Sequence, residues 1–286
     1  MSIKLALENV SYYYGKGTAF EVKALDNVSF SVKENSITGL IGHTGSGKST
    51  LAQLFNGLEK PTEGKVLLDG ADIWDKKYKG GRLCFRVGLV MQYPEYQLFE
   101  ETVSEDIAFG PRNKGLSEDE VKVRVADAIA FVGLTPDVLG QSPFDLSGGQ
   151  KRRVAIAGIM AMQPELLVLD EPAAGLDPAG RADIFSGIKR YRDTTGATVI
   201  IISHSMEDMA EYCDDIIVMH QGKVMLTGPK NDVFADSDKL IEAGLDIPQI
   251  TRIMRLLSEN GLDVNSAACT KEQAMAELVR VFHLKY

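Results

Sequence analysis

With 286 residues and a net charge of −9, the chain lacks the positive surplus a nucleic-acid backbone requires, and the basic run Lys151-Arg152-Arg153 is too short to make a binding stripe. Hydrophobic residues at 44% and charged residues at 25% are those of a soluble globular protein, and no apolar run nears the ~20 residues that span a bilayer. Cys84, Cys213 and Cys269 are odd in number and far apart, which argues against a disulfide frame or zinc site and predicts small buried or half-buried residues in a reducing compartment. The opening stretch MSIKLALENV has no signal-peptide pattern, so a cytosolic chain is expected.

Leu5 to Val10 reads as a strand, as does Val28 to Val32, which alternates strictly and is therefore half-buried; Tyr12, Tyr13 and Tyr14 lie between them. The apolar run Ile37 to Ile41 leads into GHTGSGKST, residues 42–50, and then into helical spacing at Leu51, Leu54, Phe55 and Leu58. Lys65 to Leu68 is a strand stopped by Asp69-Gly70, and Val87 to Met91 is a short apolar strand ending at Gln92. From about Pro94 to Leu146 the pattern is helical. There Ser117 and Glu120 form a capping box ahead of a stripe at Val121, Val125, Ala128, Ile129 and Val132. Ser147 opens a helix through about Met162. Leu166 to Leu169 and Thr198 to Ile202 are continuous apolar runs, suited to parallel strands covered on both faces. Ile216 to Met219 and Val224 to Leu226 make a closing hairpin, Pro248 starts a helix that Gly261 ends, and Thr270 with Gln273 caps a last one.

Strand, glycine loop and helix make GHTGSGKST a phosphate site rather than only a glycine-rich turn capping a helix. Gly42, Gly45 and Gly47 let backbone N–H groups turn inward, at the positive end of the helix dipole. Lys48 supplies a full charge for the β and γ phosphates, and the Ser49 hydroxyl is placed for Mg²⁺. Asp170 and Glu171 close the run LLVLD, on the edge of an open α/β sheet where ligands bind. Asp170 suits Mg²⁺, directly or through water, and Glu171 can polarise a water for attack on the γ-phosphate, whereas an isolated acidic pair would simply meet solvent. In Leu146-Ser147-Gly148-Gly149-Gln150, Ser147 and Gln150 alone would be a capping box. The two glycines, each costing up to ~1 kcal/mol against alanine in a helix, make sense where a phosphate must approach bare N–H groups. A second anion site on a second helix follows.

These residues together resemble the ATP-binding cassette (ABC) ATPases, over about Leu5 to Gly228 and in the family's motif order. GHTGSGKST (Gly42, His43, Thr44, Gly45, Ser46, Gly47, Lys48, Ser49 and Thr50) resembles the Walker A motif, Gln92 the Q-loop and LSGGQ the signature. LLVLDEP resembles Walker B, Ala174 to Asp177 the D-loop, and His204 the switch histidine. The resemblance implies an α/β fold: a P-loop NTPase core with a mixed sheet, an antiparallel β subdomain, a helical subdomain at about 95–160 and a small C-terminal helical extension. The division is placed at residues 1–232 and 233–286.

The resemblance also implies ATP and Mg²⁺ as cofactors and a head-to-tail dimer. Ser147, Gly148, Gly149 and Gln150 of one subunit would face the γ-phosphate held by Gly45 to Ser49 of the other, with Asp177 at the same interface. Ser49, Gln92 and Asp170 form the metal set, Glu171, His204 and Gln92 the catalytic set, and His43 contributes its backbone. By itself a strand-end histidine is more often structural; the resemblance gives His204 the task of orienting water and sensing the γ-phosphate. Tyr14, which precedes Gly15, is the expected adenine-stacking ring, Tyr12 is its alternative, and a packing role for all three tyrosines stays open.

A closer resemblance is to the ATPase subunits of energy-coupling-factor (ECF) transporters, through Tyr93-Pro94-Glu95-Tyr96-Gln97-Leu98-Phe99, Ala108-Phe109-Gly110-Pro111 and the tail beyond Asp232. GHT in place of GHN points to the second of the two paralogues. One departure is Ala173, where the family more often has Thr. The partners implied are a second ABC ATPase subunit (paralogue or self), a transmembrane coupling subunit and a substrate-binding membrane subunit, with the chain peripheral on the cytoplasmic face of a bacterial membrane and no nucleic acid bound. A soluble ABC ATPase acting on nucleic acid or ribosomes is the alternative, disfavoured by the single cassette and the acidic balance. A stand-alone P-loop kinase or GTPase would leave LSGGQ and the terminal helices unexplained.

Overall fold

The structure, a computed structural model, describes residues 2–78 and 82–283. Its strands are β1 (Ile3–Tyr14), β2 (Val22–Lys33), β3 (Ile37–Gly42), β4 (Glu63–Leu68), β5 (Ala71–Asp72), β6 (Val87–Val90), β7 (Leu166–Asp170), β8 (Thr198–Ile202), β9 (Asp215–His220) and β10 (Lys223–Pro229). Its helices are α1 (Lys48–Phe55), α2 (Val103–Asn113), α3 (Glu118–Phe131), α4 (Gly148–Ala161), α5 (Pro178–Thr195), α6 (Met206–Tyr212), α7 (Lys230–Ala235), α8 (Ser237–Glu242), α9 (Gln249–Glu259) and α10 (Lys271–Phe282).

One sheet, in the order β2-β1-β4-β5, is antiparallel throughout. Leu5 pairs with Val32, Leu7 with Phe30 and Val10 with Val28, so alternate apolar residues fall on one buried face. β1 runs through the three tyrosines rather than stopping at Val10. The second sheet, in the order β10-β9-β3-β8-β7-β6, is mixed: β6, β7, β8, β3 and β9 are parallel in turn, and β10 closes the edge antiparallel. β3 and β8 are buried at every residue, the burial their unbroken apolar runs require. Because the central strands are parallel, their carboxyl ends reach one edge together. Gly42, Asp170 and the residue after Val90 therefore arrive near one another although far apart in sequence.

Helices α2, α3 and α4 form a separate helical layer. α3 buries Val121, Val125, Ala128 and Ile129 beneath the Ser117–Glu120 capping box, against Val103 and Ile107 of α2 and Val154, Ala157 and Met160 of α4. α5, unassigned in the sequence reading, starts at the N-cap Asp177 with Pro178 in its first turn and buries Ile184, Phe185, Ile188 and Tyr191. In the C-terminal region, Val233, Phe234, Leu240, Leu245 and Ile247 pack into the main core. Met254, Val264, Ala268 and Ala274 form a small cluster of their own, leaving Ile253, Leu256 and Phe282 about half exposed. Cys213 and Cys269 are buried and unpaired, as their spacing predicts; Cys84 is exposed, a correction to the buried or half-buried expectation, because it sits on a short helical turn (Arg82–Phe85) that buries Leu83 instead.

Candidate functional site

The loop between β3 and α1 takes its shape from two close approaches. Gly42 has φ +153°, and a Cβ there would lie 2.4 Å from the carbonyl oxygen of Met219 on β9; Gly47 has φ +102°, and its Cβ would strike the Leu25 side chain. Neither position accepts another residue without moving a strand. The loop delivers Lys48 at the start of α1 with its side chain buried and Nζ donating to the carbonyls of Gly42 at 2.6 Å and His43 at 2.8 Å. Burial lowers the Lys48 pKa, and the charges of Asp170 and Glu171 partly restore it. Ser46 is buried, and its hydroxyl has no hydrogen-bond partner among the described residues.

A cleft of about 390 Å³ opens above this loop, lined by Tyr14, Thr44, Gly45, Gly47, Lys48, Ser49 and Thr50 on one side and Gln92, Asp170, Glu171 and His204 on the other. Val22, Lys23 and Ala24 of β2 also line it. These three were not anticipated; the signal available was only their position one turn beyond the tyrosines, which pairing places against Tyr14. Ser49 Oγ donates to Asp170 Oδ2 at 3.3 Å. With Gln92 in the same cleft, the donors gathered here are hard oxygens without a thiol, the set that suits Mg²⁺.

Burial raises the pKa of both Asp170 and Glu171; Ser49 and Lys48 counteract the shift at Asp170, and the His204 ring, the His204 N–H and Ser203 counteract it at Glu171. Glu171 has φ +52°, a left-handed conformation that costs a non-glycine residue roughly 1–3 kcal/mol and that clusters at functional sites. The carboxylate is held there from two sides: Oε1 accepts from the His204 N–H at 2.8 Å and Oε2 from Ser203 Oγ at 3.2 Å. The His204 ring approaches to 3.8 Å. Glu171 and His204 also line an adjoining cleft of about 570 Å³ with Ala173, Ala174, Arg181 and Glu207. They form the wall between the two spaces.

Tyr14 lies at the rim, 42% exposed, sharing a hydrogen bond with Thr50 Oγ1 at 3.0 Å. Tyr12 is 8% exposed; its hydroxyl donates to Glu59 at 2.6 Å, and burial with that carboxylate pushes its pKa up to about 12. Its ring meets Tyr14 edge to face, with centroids 4.9 Å apart, and of the two only Tyr14 lines the cleft. The His43 side chain points away from the cleft: Nε2 meets the Ala243 carbonyl at 2.6 Å, beside Gly244, tying the glycine loop to the C-terminal region. A carbonyl only accepts, so Nε2 carries the proton.

Ser147, Gly148, Gly149 and Gln150 do not reach this cleft within the chain. Gln150 N–H donates to Ser147 Oγ, and Ser147 N–H donates to Gln150 Oε1 at 3.0 Å, completing the capping box at the start of α4. Ser147 and Gly148 are exposed, and open space lies where a Gly148 side chain would be. Asp177 is likewise outside the cleft, accepting from Gly180 N–H at 2.8 Å as the cap of α5.

The model of the ABC transporter family matches residues 25–174. Among curated proteins, the chain is 52% identical over 278 residues to the energy-coupling factor transporter ATP-binding protein EcfA2 of Clostridium acetobutylicum, covering 97% of each. It is 50% identical over 286 residues to the protein of that name from Clostridium tetani, covering 100% of this chain and 99% of that one. Among solved structures, cbiO1 of Clostridium perfringens, described as part of the ABC transporter complex cbiONQ, superposes with a TM-score of 0.75 at 37% identity, covering 89% of this chain and 100% of that one. A dimeric ATP-binding cassette in a post-hydrolysis state bound to ADP and phosphate superposes with a TM-score of 0.70 at 28% identity, covering 79% and 98%.

Proposed function

The chain belongs to the ABC transporter ATPases and is homologous to EcfA2, the second ATPase paralogue of ECF transporters, and on that premise we propose how its own residues carry the work. It is an ATP hydrolase that energises ECF-type uptake of vitamins or metal ions. One observation supports the site reading most: Lys48, Ser49, Asp170, Glu171 and His204, from three separate stretches of sequence, line one cleft while the exposed start of α4 lies outside it.

In this reading the loop N–H groups and Lys48 grip the phosphates, and Tyr14 covers the adenine. Ser49 and Asp170, with Gln92, would hold Mg²⁺, which would neutralise phosphate charge. Glu171 takes a proton from the attacking water; its raised pKa makes it a better base than an ordinary glutamate. His204 positions the γ-phosphate from beside Glu171. Positioning and charge stabilisation carry most of the rate, as phosphoryl transfer requires.

The first helical turn of α4 supplies the second set of N–H groups, to the nucleotide of a partner subunit. Gln92 links the cleft to the helical layer, and the exposed Tyr93, Tyr96 and Phe99 beyond it form a surface for the membrane coupling subunit. No helix among the described residues is long and apolar enough to cross a membrane, so a membrane partner has to be separate if these residues are to drive transport. We place the chain on the cytoplasmic face, with a paralogue or a second copy as its ATPase partner. The division near residue 232 assigns α9 and α10 to a dimer contact or regulatory appendage, supported by the exposed Ile253 and Leu256.

Affinity isolation of the complex from its native membrane tests the proposal. Small hydrophobic membrane subunits co-purifying with a second ATPase chain are expected; recovery with ribosomes or nucleic acid alone would overturn it.

A further inference from the structure

The basic run after LSGGQ has an arginine that the nucleotide cleft does not use. Arg152, on the second turn of α4, is 4% exposed. Its guanidinium makes a two-pronged ion pair with Glu95, Nε to Oε2 at 3.1 Å and Nη2 to Oε1 at 3.2 Å. Nη1 donates to the carbonyl of Ala174, and the Tyr93 ring centre lies 5.8 Å from the guanidinium carbon. One buried cation therefore touches three segments: the helix that begins at Ser147, the turn that follows Gln92, and the turn that follows Glu171. Tyr93 has φ +59°, which an aromatic residue adopts only when its surroundings hold it there.

The chemistry explains why arginine stands here. A planar fork satisfies a carboxylate with two parallel N–H bonds and keeps a third direction for a carbonyl, whereas a lysine offers one compact ammonium. Removing Glu95 leaves the buried Arg152 charge without its match, and drawing Ala174 away leaves a guanidinium N–H unpaired, so the three segments cannot separate cheaply.

We propose that Arg152 is a positioning residue for ATP hydrolysis. It makes the start of α4, the Gln92 turn and the Ala174 turn move as one body. Contact of Ser147 and Gly148 with a partner's nucleotide is then transmitted to Gln92 and to the backbone beside Glu171 in the chain's own cleft. The inference rests on the proposed reading that α4 serves a partner's nucleotide.

The test uses the assembled transporter with Arg152→Lys, Glu95→Gln and the double variant, measuring ATP affinity, KM, kcat and thermal midpoint. Each single variant is expected to lower kcat by about tenfold or more with KM and nucleotide affinity within about threefold, since the phosphate loop is untouched. The double variant should be no worse than the weaker single one, because both remove the same linkage. Glu95→Gln keeps the side-chain shape, so it reports even if Arg152→Lys folds poorly. Unchanged kcat in a folded Glu95→Gln variant, or losses that multiply in the double variant, would overturn the inference. Failure of the reading it rests on would show separately, as Gly148→Asp, which has open space for its side chain, retaining full turnover in the assembled transporter.

Discussion

The backbone N–H of His204 donates to Glu171 Oε1 at 2.8 Å, so the candidate switch histidine and the candidate base share a hydrogen bond. The bond holds the carboxylate at the strained end of β7 and leaves the His204 ring exposed toward the cleft. Movement at either residue is felt at the other.

Glu171→Gln keeps a carbonyl oxygen to accept from the His204 N–H and turns an NH₂ toward Ser203 Oγ, which can accept from it, while removing the basic carboxylate. Steady-state turnover is expected to fall by at least about 10²-fold, the range that a positioned general base contributes, with affinity for a non-hydrolysable analogue within about threefold. Turnover at the wild-type rate would remove Glu171 from this role.

As the proposed base, the same carboxylate should set the acid limb of activity. Burial raises its pKa above the usual 4.5, and a base works only when deprotonated. kcat/KM should therefore fall on acidification at a pH above the ordinary glutamate value, and Glu171→Gln should flatten that limb in whatever activity remains. A limb centred at or below 4.5 in the wild type would contradict the assignment.

At the rim, Tyr14→Phe loses only the bond to Thr50, while Tyr14→Ala loses the ring. A stacked base is worth about 1–3 kcal/mol, so calorimetry should show roughly tenfold weaker ATP binding for the alanine variant and little change for phenylalanine. Equal affinity in all three proteins would leave the tyrosines as packing residues.

Glu165 tests the scaffold. Its oxygens accept from Lys4 Nζ at 2.5 Å and from Arg86 at 2.8 and 2.7 Å, and Arg86 also pairs with Asp69, tying β1 to the edge of the central sheet. Arg86 first, and Lys4 after it, hold the Glu165 pKa at about 2 against the cost of burial. A depressed carboxylate contributes stability that is complete above its unfolded pKa near 4.5 and is lost as pH falls through about 2. Wild type should thus have a higher thermal midpoint than Glu165→Gln at neutral pH, with the gap closing below about 4.5. A constant gap would show that its origin is packing.

The residues proposed to bind phosphate are legible because their chemistry is local: strand, glycine loop, lysine and helix are contiguous from Ile37 to Phe55. The sheet edge is legible too, since the unbroken apolar runs at β7 and β8 carry Asp170 and His204 to their ends. What escapes is long-range. Nothing local marks Tyr12 as buried against Glu59, forty-seven residues away, or His43 as turned toward Ala243, two hundred away. α5 was readable from Ile184, Phe185, Ile188 and Tyr191, a helical stripe obscured by charged neighbours. Nothing local sets Arg152 apart within the short basic run, because its partners Tyr93, Glu95 and Ala174 lie in two other segments.

The central claim is that one terminal phosphate is held by two helix starts on different subunits. The direct measurement is a structure of the assembled ATPase pair carrying Glu171→Gln with MgATP bound. The account predicts Lys48 of one subunit and Ser147 with Gly148 of the other within hydrogen-bonding distance of the same γ-phosphate; a closed, nucleotide-loaded pair with LSGGQ remote from every phosphate would contradict it.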